Sequence, residues 1–93
     1  MHRIIYLSSG VTIFSDEEIN DLLKVSRENN HKNGITGLLL YSDGNFMQIL
    51  EGEKEALENT FHKIQNDTRH RNIILIVNES IKQRNFSEWK MGY

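Results

Sequence analysis

ITGLLLYSDGNFMQILEG, residues 35–52, holds two apolar runs, ITGLLLYS (35–42) and FMQILEG (46–52), on either side of the turn residues Asp43, Gly44 and Asn45. Aliphatic and aromatic runs that flank an Asp-Gly turn predict a β-hairpin. Because strand side chains alternate between faces, Phe46, Gln48 and Leu50 share one face of the second run, and Met47, Ile49 and Glu51 share the other. Gln48 is therefore an amide inside an otherwise apolar strand. Leaving such a group buried without partners costs roughly 1–3 kcal/mol, so the rest of the sequence has to supply one.

Upstream of the hairpin, RIIYLSS (3–9) is β-branched, aromatic and short, which predicts a first strand. SDEE (15–18) then reads as a capping box, in which Ser15 bonds the Glu18 N–H and the Glu18 side chain reaches back to the Ser15 N–H. Ile19, Leu22, Leu23 and Ser26 follow at i, i+3, i+4 and i+7, and the same face continues to Asn29 and Asn30 before Gly34 ends the helix. Downstream, KEALENTFHKIQND (54–67) restores the helical period through Leu57, Phe61 and Ile64. NIILIVNESI (72–81) predicts a further strand, and FSEWKMGY (86–93) a last, short one. The order β-α-β-β-α-β-β is an α+β, ferredoxin-like split βαβ with an added fifth strand, with two helices on one face of a mixed sheet.

Ninety-three residues without a linker, a repeat or a proline make one domain, 1–93. A net charge of −2, with the 11 Lys and Arg scattered, argues against a nucleic-acid partner. The absence of cysteine rules out a disulfide framework, a thiolate metal site and a cysteine nucleophile. His2, His31, His62 and His70 have no short ligand spacing, so no metal is expected. No apolar run approaches the roughly 20 residues that cross a bilayer, and MHRIIYLSSG is too soon polar for a secretion signal. The expectation is a cytoplasmic protein.

In the first strand Ile4, Tyr6 and Ser8 share a face. The split βαβ order sets the first and third strands side by side, which makes Tyr6 and Gln48 neighbours beneath the helices. A phenol and an amide satisfy each other, and as a pair they could be no more than a paired polar spot in a core. Asn29 and Asn30 at the end of the first helix, and Trp89 and Met91 on one face of the tail, enlarge the set. Amides, a phenol, an indole and a thioether between two helices and a sheet suit a flat heteroaromatic ligand with hydrogen-bonding edges.

The successive stretches RIIYLS, NNxxxxITGLLLY, FMQILEGE, FHKIQNDTRH and FSEWKMG resemble, in order and over essentially the whole chain, the motifs of the BLUF domains, sensors of blue light using flavin. The match is to the short stand-alone type. Met47 departs from the aromatic or Leu often found there, on the face away from the site. The resemblance implies a flavin, FAD with FMN as the alternative, held between helices 16–30 and 54–66. It implies that Tyr6 is the light-driven electron and proton donor and Gln48 the switch between Tyr6 and the ring. Asn30 matches the residue that bonds the pyrimidine edge, with Asn29 adjacent. Ser26, Lys63 and Asp67 fall where the ring is lined, Arg69 and His70 within reach of the phosphate end, and Trp89 and Met91 on the strand that responds. A sensor of this kind consumes no substrate and is not an enzyme.

Two other readings compete. EGEKEAL (51–57) is similar to the strand-to-helix stretch of small ferredoxin-like hydrolases of the acylphosphatase kind, but such a site needs an arginine in the loop after the first strand. That loop, SSGVTIFS (8–15), has no basic residue. The other is an interaction module with no cofactor. On the helix-free face, Ile5, Leu7, Leu39, Tyr41, Met47 and Ile49 form an expected apolar patch, large enough to call for a homodimer or an effector protein.

Overall fold

A computed structural model describes residues 1–11 and 14–92. Thr12 and Ile13 of the first loop, and Tyr93 at the end of the expected last strand, lie outside the described residues. The elements run β1 (His2–Gly10), α1 (Asp16–Lys32), β2 (Thr36–Ser42), β3 (Asn45–Gly52), α2 (Lys54–Gln65), β4 (His70–Ser80) and β5 (Trp89–Gly92). They form one sheet in the order β4-β1-β3-β2-β5. Every pairing is antiparallel except β2 with β5, so the sheet is mixed. The expected α+β order and ferredoxin-like topology are both present.

Local chemistry explains the boundaries. The capping box closes α1: Ser15 Oγ accepts from the Glu18 N–H at 3.1 Å, and Glu18 Oε1 accepts from the Ser15 N–H at 3.1 Å. At its other end, the Gly34 N–H bonds back to the His31 carbonyl, with Gly34 at φ 68°, a conformation glycine adopts without a Cβ penalty. The core sits between the helices and the inner face of the sheet: Ile4, Tyr6, Leu39, Phe46, Leu50 and Trp89 from strands, Ile19 and Leu57 from helices, and Ile35 just before β2.

One expectation about the sheet is overturned. Taking Asp43, Gly44 and Asn45 together as the turn places Leu39 and Tyr41 on the helix-free face with Met47. The hairpin instead turns on Asp43 and Gly44 alone, both at positive φ (52° and 81°), and Asn45 opens β3 opposite Ser42. Two consecutive positive-φ residues match the right-handed strand twist, which favours this tighter loop. The register then pairs Leu39 with Gln48 and Tyr41 with Phe46, so both face the helices. Leu38 and Leu40, opposite Ile49 and Met47, take their places outside. A one-residue change in the loop has exchanged every side chain of β2 between faces.

β4 starts at His70, two residues earlier than the apolar run NIILIV suggests, and it pairs irregularly with β1. Ile5 faces Val77 while Tyr6 faces Leu75, and Leu7 faces Ile74 while Ser9 faces Arg71. Each step leaves an extra residue on β4, as a β-bulge does. Asn72 sits at φ 55° within the second irregularity. The strand consequently opens at His70 opposite Gly10, with the His70 side chain over Ser8, its Nδ1 3.0 Å from Ser8 Oγ. β5 is shorter than expected, beginning at Trp89, because Arg84, Asn85 and Phe86 are committed to contacts with the ends of β2 and β3. No helix among the described residues is long and apolar enough to cross a membrane.

Candidate functional site

Tyr6 and Gln48 face each other directly in the β1–β3 register, and both are buried. The Gln48 amide nitrogen donates to Tyr6 Oη. Its amide oxygen accepts from the Trp89 indole N–H at 3.0 Å. The misplaced glutamine is thus satisfied at both ends of its amide, which removes the cost of burying it. A buried chain of three side chains from β5, β3 and β1 results, with a rotatable group in the middle that is a donor on one side and an acceptor on the other.

The polarity of that chain follows from atom types alone. An indole N–H can only donate, so Gln48 must present oxygen to Trp89 and nitrogen to Tyr6. Tyr6 Oη, already accepting from Gln48, keeps its own proton for another direction. Burial pushes the Tyr6 phenol well above the usual tyrosine range; the Gln48 hydrogen bond opposes that shift and the negative charge of Asp67 adds to it. Tyr6 is therefore a neutral phenol that holds its proton until something removes it. Its ring packs at 5.5 Å against Phe61 of α2.

Above Tyr6 and Gln48 opens a cleft of about 320 Å³, within the usual range of small-molecule sites. α1 contributes Leu22, Val25, Ser26, Asn29 and Asn30, α2 contributes Thr60, Lys63 and Ile64, and the sheet contributes Leu39 and Phe46 with Tyr6 and Gln48. Asn30 is buried, whereas Asn29 is exposed at the rim. The Asn30 carbonyl holds the chain exit, accepting from the Ile35 N–H at 2.8 Å, while its side chain lines the cleft. Phe14, Phe46 and His70 line one side, and Tyr41 packs against Phe14 and Phe46, the ring centroids lying from 4.7 to 6.2 Å apart.

Asp67, Arg69 and His70 line the mouth of the cleft. Arg69 donates through Nε and Nη2 to the Asp67 carboxylate (3.0 and 2.5 Å to the nearest oxygens), and the Arg69 N–H adds a third bond at 2.9 Å. These hydrogen bonds from Arg69 hold the Asp67 carboxyl below the usual range and raise the guanidinium. Nη1 of Arg69 lies outside this fork. His70 is shifted down, mainly by partial burial and against the pull of Asp67, so it favours the neutral imidazole. Among the described residues no group of three His, Cys, Asp or Glu side chains is arranged to hold a metal ion.

The cleft therefore brings together Tyr6, Ser26, Asn29, Asn30, Gln48, Lys63, Asp67, Arg69 and His70 of the residues singled out from sequence. Trp89 reaches the floor through Gln48, while Met91 lies elsewhere, in a groove beside α1 that also holds Arg27, His31 and Arg84. Sequence reasoning missed Phe14, Val25, Lys32, Asn33, Leu39 and Thr60 as lining residues. Asn33 extends the Ser26, Asn29, Asn30 stripe by the same helical step, and Phe14 occupies the position before a capping Ser15 where an apolar staple is expected. Leu39 needed the true hairpin register.

A donor-rich edge from α1, apolar walls and an amide relay at the floor make a site for a flat ring system with polar edges. Comparison with known proteins agrees. The family described as "BLUF: Sensors of blue-light using FAD" matches residues 1–92. The photoactivated adenylate cyclase subunit alpha of Euglena gracilis is 34% identical over 93 residues, which is 98% of this chain and 9% of that protein. The chain thus spans about a tenth of such a relative's length. Among solved structures, a bacterial light-regulated adenylyl cyclase superposes with a TM-score of 0.92 at 43% identity, over 97% of this chain and 27% of that one. The photo-activated state of BlsA superposes with a TM-score of 0.88 at 40% identity, over 97% of this chain and 66% of that one.

Proposed function

Because the chain belongs to the BLUF family of blue-light sensors that use FAD, we propose that residues 1–93 form a single flavin-binding photosensory domain that signals by rearranging hydrogen bonds and carries no catalytic output of its own. The observation that supports this most directly is the buried relay from Trp89 through Gln48 to Tyr6 at the floor of the cleft. An oxidised flavin, once bound and excited by blue light, supplies a strong one-electron oxidant. The donor set fits such a ring: Asn30, with Asn29 beside it, would bond the pyrimidine edge, and Ser26, Lys63 and Asp67 would line it. Arg69 and His70 would meet the phosphate end. Those ring contacts are shared by FAD and FMN, and FAD is our assignment.

Within the chain, Tyr6 is the electron and proton donor. Its phenol is buried and neutral, and its Oη leaves one direction open for the proton. Gln48 is the switch. Half a turn of its amide puts Oε1 against Tyr6 Oη, ready to accept the phenol proton in a hydrogen bond, and Nε2 against the Trp89 indole N–H. Two donors then face each other, and the Trp89 bond cannot persist. The amide turn is thereby transmitted to β5, a local change acting on a strand with two arrangements. Met91, on the same short strand, is placed to follow.

The absorption spectrum, in the dark and after blue light, tests this. We expect a yellow protein whose flavin band moves slightly to longer wavelength under blue light and returns in the dark. A chain that stays colourless after reconstitution with FAD or FMN would sink the reading.

For a partner we propose a second copy of this chain, docked on the helix-free face. Ile5, Leu7, Leu38, Leu40, Met47 and Ile49 line it across the three central strands, with Leu7 and Leu40 exposed. Contiguous apolar side chains of this extent are uncommon on a lone surface. Sedimentation should show a dimer that Leu7→Glu with Leu40→Glu converts to a monomer. A wild-type monomer at high concentration, in dark and in light, argues against the assignment.

A further inference from the structure

Glu51 plays no part in the relay, yet its side chain is wholly enclosed (0% exposed). Parity puts it on the outer face with Met47 and Ile49, where a glutamate at a strand end is ordinarily solvated. The turn at Arg84, Asn85 and Phe86 folds over the end of β3, and Arg3 of β1 meets the carboxylate from the neighbouring strand. Glu51 Oε1 accepts from the backbone N–H groups of Asn85 and Phe86, at 2.8 and 2.9 Å. Oε2 accepts from Arg3 Nε and Nη2, at 3.2 and 3.0 Å. Arg84 adds bonds to the Thr36 hydroxyl and to the Glu51 and Gly34 carbonyls, all within 2.9 Å.

These contacts close a circuit. Gln48 and Glu51 stand three residues apart on β3, and Phe86 and Trp89 stand three residues apart on the way into β5. One cross-link joins Glu51 Oε1 to the Phe86 N–H, the other joins Trp89 Nε1 to Gln48 Oε1. β5 itself has only four residues and pairs with β2 alone among the described strands. The indole is thus held to the switch by one hydrogen bond and by an anchor on the same strand as the switch. Charge-assisted bonds from backbone N–H groups to a buried carboxylate are among the stronger ones a protein makes.

We propose that Glu51 is a positioning residue for the photoresponse: by fixing the Asn85–Phe86 turn to β3, its carboxylate sets the fraction of molecules in which Trp89 is bonded to Gln48. The ion pair with Arg3 holds the carboxylate in place, and Arg84 fixes the same segment to the end of β2. This rests on Gln48 being the switch, so the test reads Trp89 in the dark and needs no photochemistry.

Trp89 is the single tryptophan of the chain, so indole N–H exchange and tryptophan emission report on it alone. In the flavin-loaded protein kept dark, Glu51→Ala should speed indole N–H exchange at least about tenfold, the effect of losing one charge-assisted hydrogen bond. Emission should move to the red, with the flavin still bound. Glu51→Gln keeps an oxygen for the two N–H donors and should move both readouts in the same direction but less far; it decides the matter if the alanine variant does not fold. Wild-type exchange and emission in a folded Glu51→Ala, or in Glu51→Gln if that alone folds, overturn the proposal. A wild-type protein without a light-induced flavin shift would instead refute the photosensor reading and leave the dark measurement standing.

Discussion

Tyr6→Phe should leave a yellow, folded protein with no light-induced shift of its flavin band. The substitution removes one oxygen and keeps the ring, so packing against Phe61 and the walls of the cleft is preserved. What disappears is the acceptor for Gln48 Nε2 and the proton the proposed reaction needs. The unpaired amide N–H costs about 1–3 kcal/mol, a cost the fold should withstand. On the proposed reading flavin would be held by Ser26, Asn30 and Lys63 of the cleft, which the substitution leaves in place, so binding should survive. The distinctive outcome is this separation: retained colour, retained fold, abolished response. A full red shift in the variant would show that Tyr6 is not the donor. Loss of flavin together with the response would make Tyr6 a structural part of the cleft instead.

The relay was legible from sequence to the extent that it depends on local rules. The capping box at Ser15, the apolar stripe of α1 and the strand alternation around Tyr6 and Gln48 each follow from a few adjacent residues. Topology then brings the two strands together. The misreading of Leu39 and Tyr41 shows how little separates a correct face from a wrong one, since both assignments use the same hairpin and differ only in whether Asn45 belongs to the loop. Glu51 was illegible for a different reason. Its burial is created by Asn85 and Phe86, more than thirty residues away and with nothing apolar at position 51 to announce it. Trp89 shares that difficulty: its face on β5 can be read from alternation, but not the amide oxygen it finds across the sheet.

Gly37 carries the largest expected effect on stability, and it escapes periodicity because a glycine leaves no side chain to place. It sits in β2 at φ 149°, a backbone conformation L side chains rarely adopt. It pairs with Leu50 of β3 on one side and Trp89 of β5 on the other, and its N–H bonds to the Glu88 carbonyl at 3.2 Å. A Cβ built there would lie 1.8 Å from the Ile49 carbonyl oxygen and 2.8 Å from its carbon. Both are backbone atoms, so no rotamer change relieves the contact and β2 has to part from β3. Backbone strain and overpacking each cost about 1–3 kcal/mol, so Gly37→Ala should lose roughly 3 kcal/mol or more. For a chain of this size total stability is about 5–14 kcal/mol. A lowered thermal midpoint is the minimum expected result, and loss of flavin should accompany it, because Leu39, two residues on, lines the cleft and Gly37 abuts Trp89. Denaturant unfolding of the variant within about 0.5 kcal/mol of the parent would mean that β2 takes another path past Ile49. Gly34 is the internal control, since it also has positive φ but no atom lies within 4 Å of its would-be Cβ. Gly34→Ala should therefore cost only backbone strain, about 1 kcal/mol. The difference between the two variants reports the close approach of β2 to β3 that holds Gln48 opposite Leu39, together with the greater strain of φ 149° over φ 68° for an L residue.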